Sequence, residues 1–488
     1  MLPAMNTSRK ITNPRLTRQL KQSYKLLHPT SIRFISHLTH PDHPVPQNVQ
    51  HRIERWSKSM LTPYARPPMI LSHGKGCKVW DTEGREYLDF TAGIAVNALG
   101  HADKEMAEIM YQQAQKLVHC SNLYHNDQAG ELACTLVNLT KKFGGLGYPP
   151  LADSSSVSTH QESPQDHKVF FANSGAEANE GALKFARKCG KIEEPTGSKH
   201  ELICFTNGFH GRTFGALSVT NQPKYQLPFA PLLPGIKPGN LNDISALTEL
   251  ITPNTCGVIV EPIQGEGGIL EASEEFLRAL RHRCDEVKAV LIYDEIQCGL
   301  GRTGNLWAHG SLPTDCHPDM LTMAKPLANG VPIGAVMMRD NVAKKIAIGD
   351  HGTTFGGAPL QTAIAKHVLE RICKESFMDQ VRGTSEVLKK ELNRLVAEYP
   401  NILTGPVRGR GLIMGLEVKN LQSEDHAKQS EPTISQIINL SRQNGLLLLS
   451  CGQSIIRFVP SLIISHSEVS QMILILEKVL AHLSSPKV

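Results

Sequence analysis

The sequence predicts an α/β protein: a large domain built on a mostly parallel sheet, followed by a smaller α/β domain. Short apolar segments alternate along the chain with segments of helical spacing, from about residue 169 to residue 338. Apolar runs of this length between helices are typical of strands that helices cover on both faces. A chain of 488 residues is also too long for one simple core, which favours two or three folding units.

The predicted strands of the large domain are five apolar runs. They are residues 169–171, 202–205, 258–260, 290–293 and 335–338. Upstream, residues 78–90 predict a hairpin, and helical spacing covers about 104–118 and 130–139. Strand-like runs at 412–418 and 455–459 belong to the smaller domain, and the polar run 149–167 predicts a surface insertion.

The chain is predicted to have four segments. Residues 1–41 contain seven Lys or Arg and no Asp or Glu, the composition of an organelle transit peptide, here predicted to be mitochondrial, whose cleavage site the sequence leaves open. A disordered basic tail is the alternative. Residues 42–100 form an N-terminal segment that packs with the small domain, 101–360 the large domain, and 361–488 the C-terminal small domain.

Composition argues against several other classes of protein. The net charge of +5 comes from the basic leader, so it does not predict a nucleic-acid surface. No apolar run is long enough to span a bilayer, so we expect no membrane partner. The 11 cysteines are scattered without a CxxC pair, which predicts reduced thiols and neither a disulfide framework nor a metal site.

Candidate site residues follow the predicted strands, because ligands of such sheets bind beyond the carboxyl ends of the strands. Gly175 and Ala176 open a helix after the run 169–171, and a helix N-terminus suits a phosphate. A simple helix cap is the alternative. Phe209 can lie on a flat heteroaromatic ring and Arg212 can grip a carboxylate. A loop aromatic that covers apolar surface is the alternative.

Three ionisable residues follow the next strands. Glu261 precedes a glycine-rich loop that suits a ligand or a structural turn. Asp294 ends an apolar strand, where a carboxylate needs a partner such as a protonated pyridine nitrogen or a buried salt bridge. Lys325 lies in an apolar run, which lowers the pKa of an amine, as a Schiff-base nucleophile requires. A side chain that reaches for solvent is the alternative, and for a lone lysine it is the more common case. Together with the phosphate turn and the aromatic, these residues predict a pyridoxal phosphate (PLP) site.

The motifs resemble those of the class III aminotransferases, the ω-amino-acid group of PLP enzymes. They are NSGAEANE (173–180), FHGRT (209–213), VEPIQGEGG (260–268), HGTT (351–354) and IRFVPSL (456–462). The resemblance runs from about residue 60 to the C-terminus. It implies fold type I of the PLP-dependent transferases, PLP as cofactor, and a homodimer with shared active sites.

The resemblance also implies roles for the cofactor-binding residues. Gly175 and Ala176 would bind the phosphate through their amides, and Thr354 would reach it from the neighbouring subunit. Phe209 would stack on the ring, and Gln297 would approach the ring oxygen. Two residues would be catalytic: Asp294, which would hold the pyridine nitrogen, and Lys325, which would form the Schiff base and then transfer protons.

For the substrates, the resemblance implies a switch between a carboxylate and a guanidinium. Glu261 would pair with Arg457 while a terminal amine attacks, and would release Arg457 to bind the α-carboxylate of 2-oxoglutarate. Arg212 would take the distal carboxylate of 2-oxoglutarate, and Arg212 and Thr353 would hold the carboxylate of the amine donor. Ornithine enzymes tend to carry Tyr where this chain has Ile94, which favours a donor whose α-amine is blocked.

The resemblance is strongest to the members that act on acetylornithine. It implies reversible transfer of the δ-amino group between N2-acetyl-L-ornithine and 2-oxoglutarate, in arginine biosynthesis in the mitochondrial matrix. Two alternatives stay open: an enzyme for ornithine, 4-aminobutyrate or another ω-amine, and a catalytically silent relative with a structural role. Phe355 and Ala358 depart from the family's usual Tyr and Asn, which removes possible hydrogen bonds near the subunit interface.

Overall fold

A seven-stranded sheet lies at the centre of the fold. The computed structural model describes residues 38–150, 167–420 and 431–485. Numbered in chain order, the strands of this sheet are β4 (Lys168–Ala172), β5 (Glu201–Phe205), β6 (Ile236–Gly239), β7 (Thr255–Val260), β10 (Val290–Asp294), β11 (Met320–Met323) and β12 (Gly334–Met338). Their order is β4-β12-β11-β10-β7-β5-β6. Only β12 runs antiparallel to its neighbours, so the predicted mostly parallel sheet is confirmed.

Helices cover both faces of this sheet. Alternate side chains of β7, such as Val258 and Ile259, belong to two different apolar clusters. The cluster of Ile259 includes the helix Gly175–Glu193, and the cluster of Val258 includes the helix Glu274–Val287. Because both faces are buried, β7, β10, β11 and β12 are mostly apolar, and their acidic and basic side chains stand at or beyond the strand ends.

Three smaller sheets complete the described strands. The first contains β1 (Leu71–Lys75), β2 (Lys78–Asp81), β3 (Glu86–Asp89) and β15 (Leu446–Leu447); the second β13 (Leu403–Arg410), β14 (Ile413–Val418), β17 (Ile455–Phe458) and β16 (Leu449–Cys451); the third β8 (Ile263–Gln264) and β9 (Leu270–Glu271). β3 pairs with β15 in parallel, so N-terminal and C-terminal strands share one sheet. The predicted boundaries at residues 100 and 360 stay a prediction.

Several of the longer helices begin where the sequence supplies a side-chain cap. Those of ten residues or more are Gln47–Ser57, Lys104–Lys116, Asp127–Phe143, Gly175–Glu193, Glu274–Val287, Pro359–Ile372, Glu375–Glu398, Thr433–Arg442 and His466–Ser484. The side chains of Asn126, Ser174 and Ser465 accept hydrogen bonds from N–H groups of the first turn. No helix in the described ranges is long and apolar enough to cross a membrane.

The predicted strands and helices are confirmed, but two strands of the central sheet were missed. β6 is a partly exposed edge strand that contains Pro238, and β11 was interpreted only as the apolar setting of Lys325. The predicted leader and the predicted insertion lie almost wholly outside the described residues.

Candidate active site

Three predicted site residues follow adjacent parallel strands. Glu261 follows β7, Asp294 is the last residue of β10, and Lys325 lies two residues after β11. Because the carboxyl ends of parallel strands meet at one edge of the sheet, the three side chains share that edge.

Asp294 is buried and well supplied with donors. Its Oδ2 accepts hydrogen bonds from Asn179 Nδ2 and His210 Nδ1, both at 2.8 Å, and its Oδ1 accepts one from the Ile296 N–H at 3.0 Å. Asn179 in turn accepts a hydrogen bond from Thr322 Oγ1 at 2.8 Å. The carboxylate therefore has a buried partner in His210, so the salt bridge predicted as an alternative is present. The network of hydrogen bonds holds the carboxylate in one orientation.

Asp294 changes the pKa of His210. Burial alone lowers the pKa of the His210 imidazole, but the hydrogen bond and charge of Asp294 outweigh it, and the net shift is upward. The pair can therefore keep a proton between them at the end of β10.

Lys325 is the candidate nucleophile. Burial lowers the pKa of its ammonium group to about 8, and the positive charge of Arg457 acts in the same direction. Asp294 and Glu261 oppose this shift without cancelling it. About a tenth of the side chain is thus a neutral amine at pH 7, far more than for a lysine with the usual pKa of 10.5, which favours a Schiff-base lysine.

Glu261 binds the backbone of two loops. Its Oε1 accepts a hydrogen bond from the Phe209 N–H at 2.8 Å, and its Oε2 accepts one from the Gly265 N–H at 3.1 Å. Burial raises the pKa of the Glu261 carboxyl to about 7. With both oxygens engaged by N–H groups, Glu261 holds the loops on either side of the site together.

The structure corrects the predicted partner of Arg457. Among the described residues, its ion pair is with Glu266, at 3.1 Å from Nη2 to Oε2, and not with Glu261. Arg457 Nη1 also donates a hydrogen bond to Gln297 Oε1 at 3.2 Å. The prediction was wrong because backbone N–H groups occupy Glu261, whereas Glu266 lies beyond β8 with its carboxylate facing the guanidinium.

Arg212 is connected to Glu266 by the aromatic side chain of Tyr225. Its guanidinium carbon lies 3.8 Å from the centroid of the Tyr225 ring and 5.7 Å from that of Phe209. The Tyr225 hydroxyl donates a hydrogen bond to Glu266 Oε1 at 2.9 Å. Two cations suited to carboxylates, Arg212 and Arg457, are therefore linked by Tyr225 and Glu266.

The turn before the helix Gly175–Glu193 has no room for larger residues. A Cβ on Gly175 would lie 2.8 Å from Ile296 Cδ1, and one on Gly265 would lie 2.2 Å from Gln297 Oε1. The backbone thus lies against Ile296 at Gly175 and against Gln297 at Gly265, and the long helix that Gly175 opens offers N–H groups of its first turn. A flat, phosphorylated cofactor with a ring nitrogen fits these donors together with Asp294 and Lys325.

Thr353 and Thr354, two further predicted site residues, differ in their surroundings. Thr353 Oγ1 accepts a hydrogen bond from Asn173 Nδ2 at 2.9 Å, next to the Gly175 turn. Thr354 is exposed on the surface. Its predicted role across a subunit interface stays a prediction.

Ile94 lies in a backbone turn that few residues adopt. Ala92, Gly93, Ile94 and Ala95 have φ values of 45°, 64°, 67° and 62°. A residue with a Cβ in this left-handed region costs roughly 1–2 kcal/mol. Ala92 and Ala95 are buried, whereas Ile94 is 43% exposed.

Several contributors to this site were not predicted. Asn179, His210 and Glu266 lie inside the quoted motifs, but nothing was assigned to them, and Tyr225 lies in none. Asn179 stands one helical turn after Gly175, a spacing that places both on one face and could have identified it. Tyr225 has no such signal, because only folding brings it to Glu266.

Comparison with known proteins identifies the family. Residues 61–480 match the family described as aminotransferase class-III. The chain belongs to the class-III aminotransferases. Relatives in this family include the mitochondrial acetylornithine aminotransferases of Neurospora crassa, 48% identical over 91% of this chain and 90% of that protein, and of Yarrowia lipolytica, 48% identical over 86% and 93%.

Solved structures of aminotransferases share the fold. N-acetylornithine aminotransferase from Stenotrophomonas maltophilia is 34% identical with a TM-score of 0.68, covering 86% of this chain and 97% of that one. An ornithine aminotransferase from Toxoplasma gondii is 30% identical with a TM-score of 0.76, covering 90% and 96%. The predicted enzyme class and α/β fold are confirmed.

Proposed function

We propose that this class-III aminotransferase transfers the δ-amino group of N2-acetyl-L-ornithine to 2-oxoglutarate with PLP as cofactor. The products are N-acetylglutamate 5-semialdehyde and glutamate. The observation that carries the proposal is Arg457, a carboxylate-binding cation near Lys325 that is paired with Glu266. The names of the most similar relatives support this donor.

The cofactor-binding residues divide between phosphate and ring. N–H groups of Gly175 and Ala176 would hold the phosphate at the helix N-terminus. Asp294 would hold the ring nitrogen, Phe209 would lie on the ring face, and Gln297 would approach the ring oxygen. When bound, PLP supplies an electron sink for the carbon that carries the transferred amine.

Lys325 performs the proton transfers. As a neutral amine, Lys325 Nζ would take a proton from the donor carbon that bears the amine and, as the acid, would deliver it to the carbon of the cofactor that accepts the amine. Its pKa of about 8 suits both directions near neutral pH. Asp294 and His210 would stay paired at the end of β10 and would keep the ring nitrogen protonated.

Glu266 controls which carboxylate Arg457 can bind. While the terminal amine of the donor reacts, the Glu266–Arg457 pair is closed and offers no free cation to an α-carboxylate. When 2-oxoglutarate enters, Glu266 releases Arg457 to the α-carboxylate, and Arg212 takes the distal one. Arg212 and Thr353 bind the carboxylate of the acetylated donor.

We also propose a homodimer in the mitochondrial matrix. Leu123, Tyr124 and Phe355 are 87%, 72% and 59% exposed, and hydrogen bonds from Asn122 to the backbone of 353 and 356 bring them together around Thr354. An exposed apolar patch of this kind favours burial by a second copy, with Thr354 reaching the other subunit's phosphate. Residues 1–41 serve as the import leader, and 42–100, 101–360 and 361–488 form the segments and domains predicted above.

A panel of amine donors tests the proposal. The purified protein is loaded with PLP, its visible absorbance is recorded, and glutamate formed from 2-oxoglutarate is measured with each donor. N2-acetyl-L-ornithine should give a higher kcat/KM than ornithine or 4-aminobutyrate. A higher kcat/KM with another donor would overturn the proposed donor. The absence of a visible band from protein-bound PLP would overturn the proposed enzyme activity.

A further inference from the structure

The left-handed turn Ala92–Ala95 is strained, and a single buried carboxylate binds its start. Asp89 Oδ1 accepts hydrogen bonds from the Thr91 N–H at 2.9 Å, from Thr91 Oγ1 at 2.6 Å and from the Ala92 N–H at 3.0 Å. Its Oδ2 accepts one from His101 Nε2 at 2.9 Å. Three residues of the turn have a Cβ, so this backbone persists only where its surroundings determine it.

The hydrogen bonds also determine the state of Asp89. The side chain is buried, which by itself raises the pKa of a carboxyl, but the donors from His101 and Thr91 lower the pKa below its usual range. Asp89 is thus a carboxylate that anchors the entry to the turn.

Backbone hydrogen bonds fix the turn to the segment that carries Arg457. The Val459 N–H donates to the Phe90 carbonyl at 3.1 Å, and the Leu462 N–H donates to the Ala98 carbonyl at 2.8 Å. These two bonds bracket the turn on both sides. The turn is therefore tied to the strand end two residues beyond Arg457.

Apolar packing connects the turn to the other site loops. Ala95 belongs to a buried cluster with Ile263 and Cys298, which lie two residues after Glu261 and one after Gln297. With Ala92 and Ala95 held inside, the side chain that the turn directs outward is Ile94. A right-handed turn at the same place would aim residue 94 in another direction.

We infer that Asp89 is a positioning residue for the choice of amine donor, because it holds the left-handed turn that presents Ile94 to the donor. The group recognised is the apolar acyl substituent on the α-amine of an ω-amino acid. This inference rests on the proposed function, and it adds a residue that touches neither substrate nor cofactor.

A double-mutant cycle tests the inference. The kcat/KM ratio for N2-acetyl-L-ornithine over ornithine is measured for the PLP-loaded wild type, Asp89→Ala, Ile94→Ala and the double variant. Each single change should lower the ratio by about 10-fold, and the double variant should lower it no further, because coupled residues are not additive. The KM for 2-oxoglutarate and the visible absorbance should stay at wild-type values.

Conservative and control variants separate positioning from general stability. Asp89→Asn keeps Oδ1 as an acceptor and should restore most of the donor ratio. Asp81 is an equally buried carboxylate that accepts hydrogen bonds from the N–H groups of Glu83 and Arg85 in the neighbouring hairpin. Asp81→Ala should lower thermal stability and leave the donor ratio unchanged.

Two outcomes would overturn the inference. One is a wild-type donor ratio in Asp89→Ala; the other is multiplication of the two single effects in the double variant. If Asp89→Ala does not fold, Thr91→Val removes one hydrogen bond to Asp89 and should shift the ratio in the same direction, and a wild-type ratio there counts against the inference. If the wild type prefers another donor, the proposed substrate fails, and the cycle is read with its two best donors.

Discussion

The ionisable side chains of the site owe their charge states to a few close neighbours. Burial lowers the pKa of Lys325 to about 8 and raises that of Glu261 to about 7. Compared with exposed residues of the same type, Lys325 therefore loses its proton at a lower pH and Glu261 keeps its proton to a higher pH. Glu266 pairs with Arg457 instead of binding the loops. Two glutamates five positions apart therefore have different tasks, one structural and one that controls a cation.

Glu266→Gln should weaken the preference for terminal amines. Without the carboxylate, Arg457 stays free to bind α-carboxylates, so glutamate becomes a better donor and the ratio of acetylornithine to glutamate use should fall about 10-fold, or roughly 1.4 kcal/mol. The ratio is measured in half-reactions followed by absorbance. Glu261→Gln is the matched control and should change the ratio less; a larger change there would reverse the assignment.

The lowered pKa of Lys325 predicts a pH dependence. The neutral amine fraction increases as the pH rises through about 8, so PLP uptake by the cofactor-free protein should accelerate up to about pH 8 and then level off. Stopped-flow absorbance measures the rate. A rate that keeps rising toward the usual lysine value of 10.5 would contradict the shift.

The same shift has a consequence for stability with a definite sign. Between about pH 8 and 10.5 the unfolded chain binds this proton more tightly than the folded protein does. The contribution of Lys325 to stability therefore becomes more favourable as the pH rises through that window. Lys325→Met should remove this contribution from the pH profile of unfolding.

At the scale of elements, close packing determines which substitutions the helix Gly175–Glu193 tolerates. This helix offers its N-terminus to the site and packs its body on the central sheet. Gly190, near its other end, has no space beside it, since a Cβ there would lie 2.4 Å from the Lys199 carbonyl oxygen and 2.5 Å from Cys256 Cβ. Gly130 in the helix Asp127–Phe143 has nothing within 4 Å.

These two helical glycines should respond in opposite directions to the same substitution. Gly190→Ala forces the helix away from β7 and should lower the free energy of unfolding by about 1–3 kcal/mol. Gly130→Ala should raise it by about 0.5–1 kcal/mol, because alanine loses less backbone freedom on folding. Chemical denaturation measures both. Equal effects would show that local helix propensity, and not packing, decides at Gly190.

At the scale of the whole molecule, residues distant in the chain complete one site. Arg457 comes from the C-terminal sheet, Asp294 and Lys325 from the central sheet, and Ile94 from the segment after β3. In the proposed homodimer, Thr354 lies in an exposed apolar patch and would complete the site of the other subunit.

Mixed subunits test the proposed sharing of the site. Lys325→Ala and Thr354→Asp chains, each expected to be inactive, are unfolded, mixed in equal amounts and refolded with PLP. If Thr354 serves the other subunit, half of the dimers are mixed and each has one site without either change, so about a quarter of wild-type activity should return. If Thr354 serves its own subunit, mixing should restore nothing.

Local patterns predicted the part of the fold and site that depends on neighbours in sequence. Strands buried on both faces are apolar throughout, so polar residues such as Asp294 stand out at their ends. The partner of Arg457 could not be obtained this way. Glu261 and Glu266 have the same chemistry and lie in one motif, and only the hydrogen bonds of Phe209 and Gly265 decide between them.

The sequence by itself determined the mostly parallel sheet, the family, and the residues suited to a cofactor, because apolar periodicity and motif spacing are local properties of the chain. Only the tertiary structure decided that Glu266 pairs with Arg457 and that His210 and Asn179 orient Asp294. These contacts join segments that are far apart in sequence or choose between identical side chains. Their geometry comes from packing, which no local pattern records.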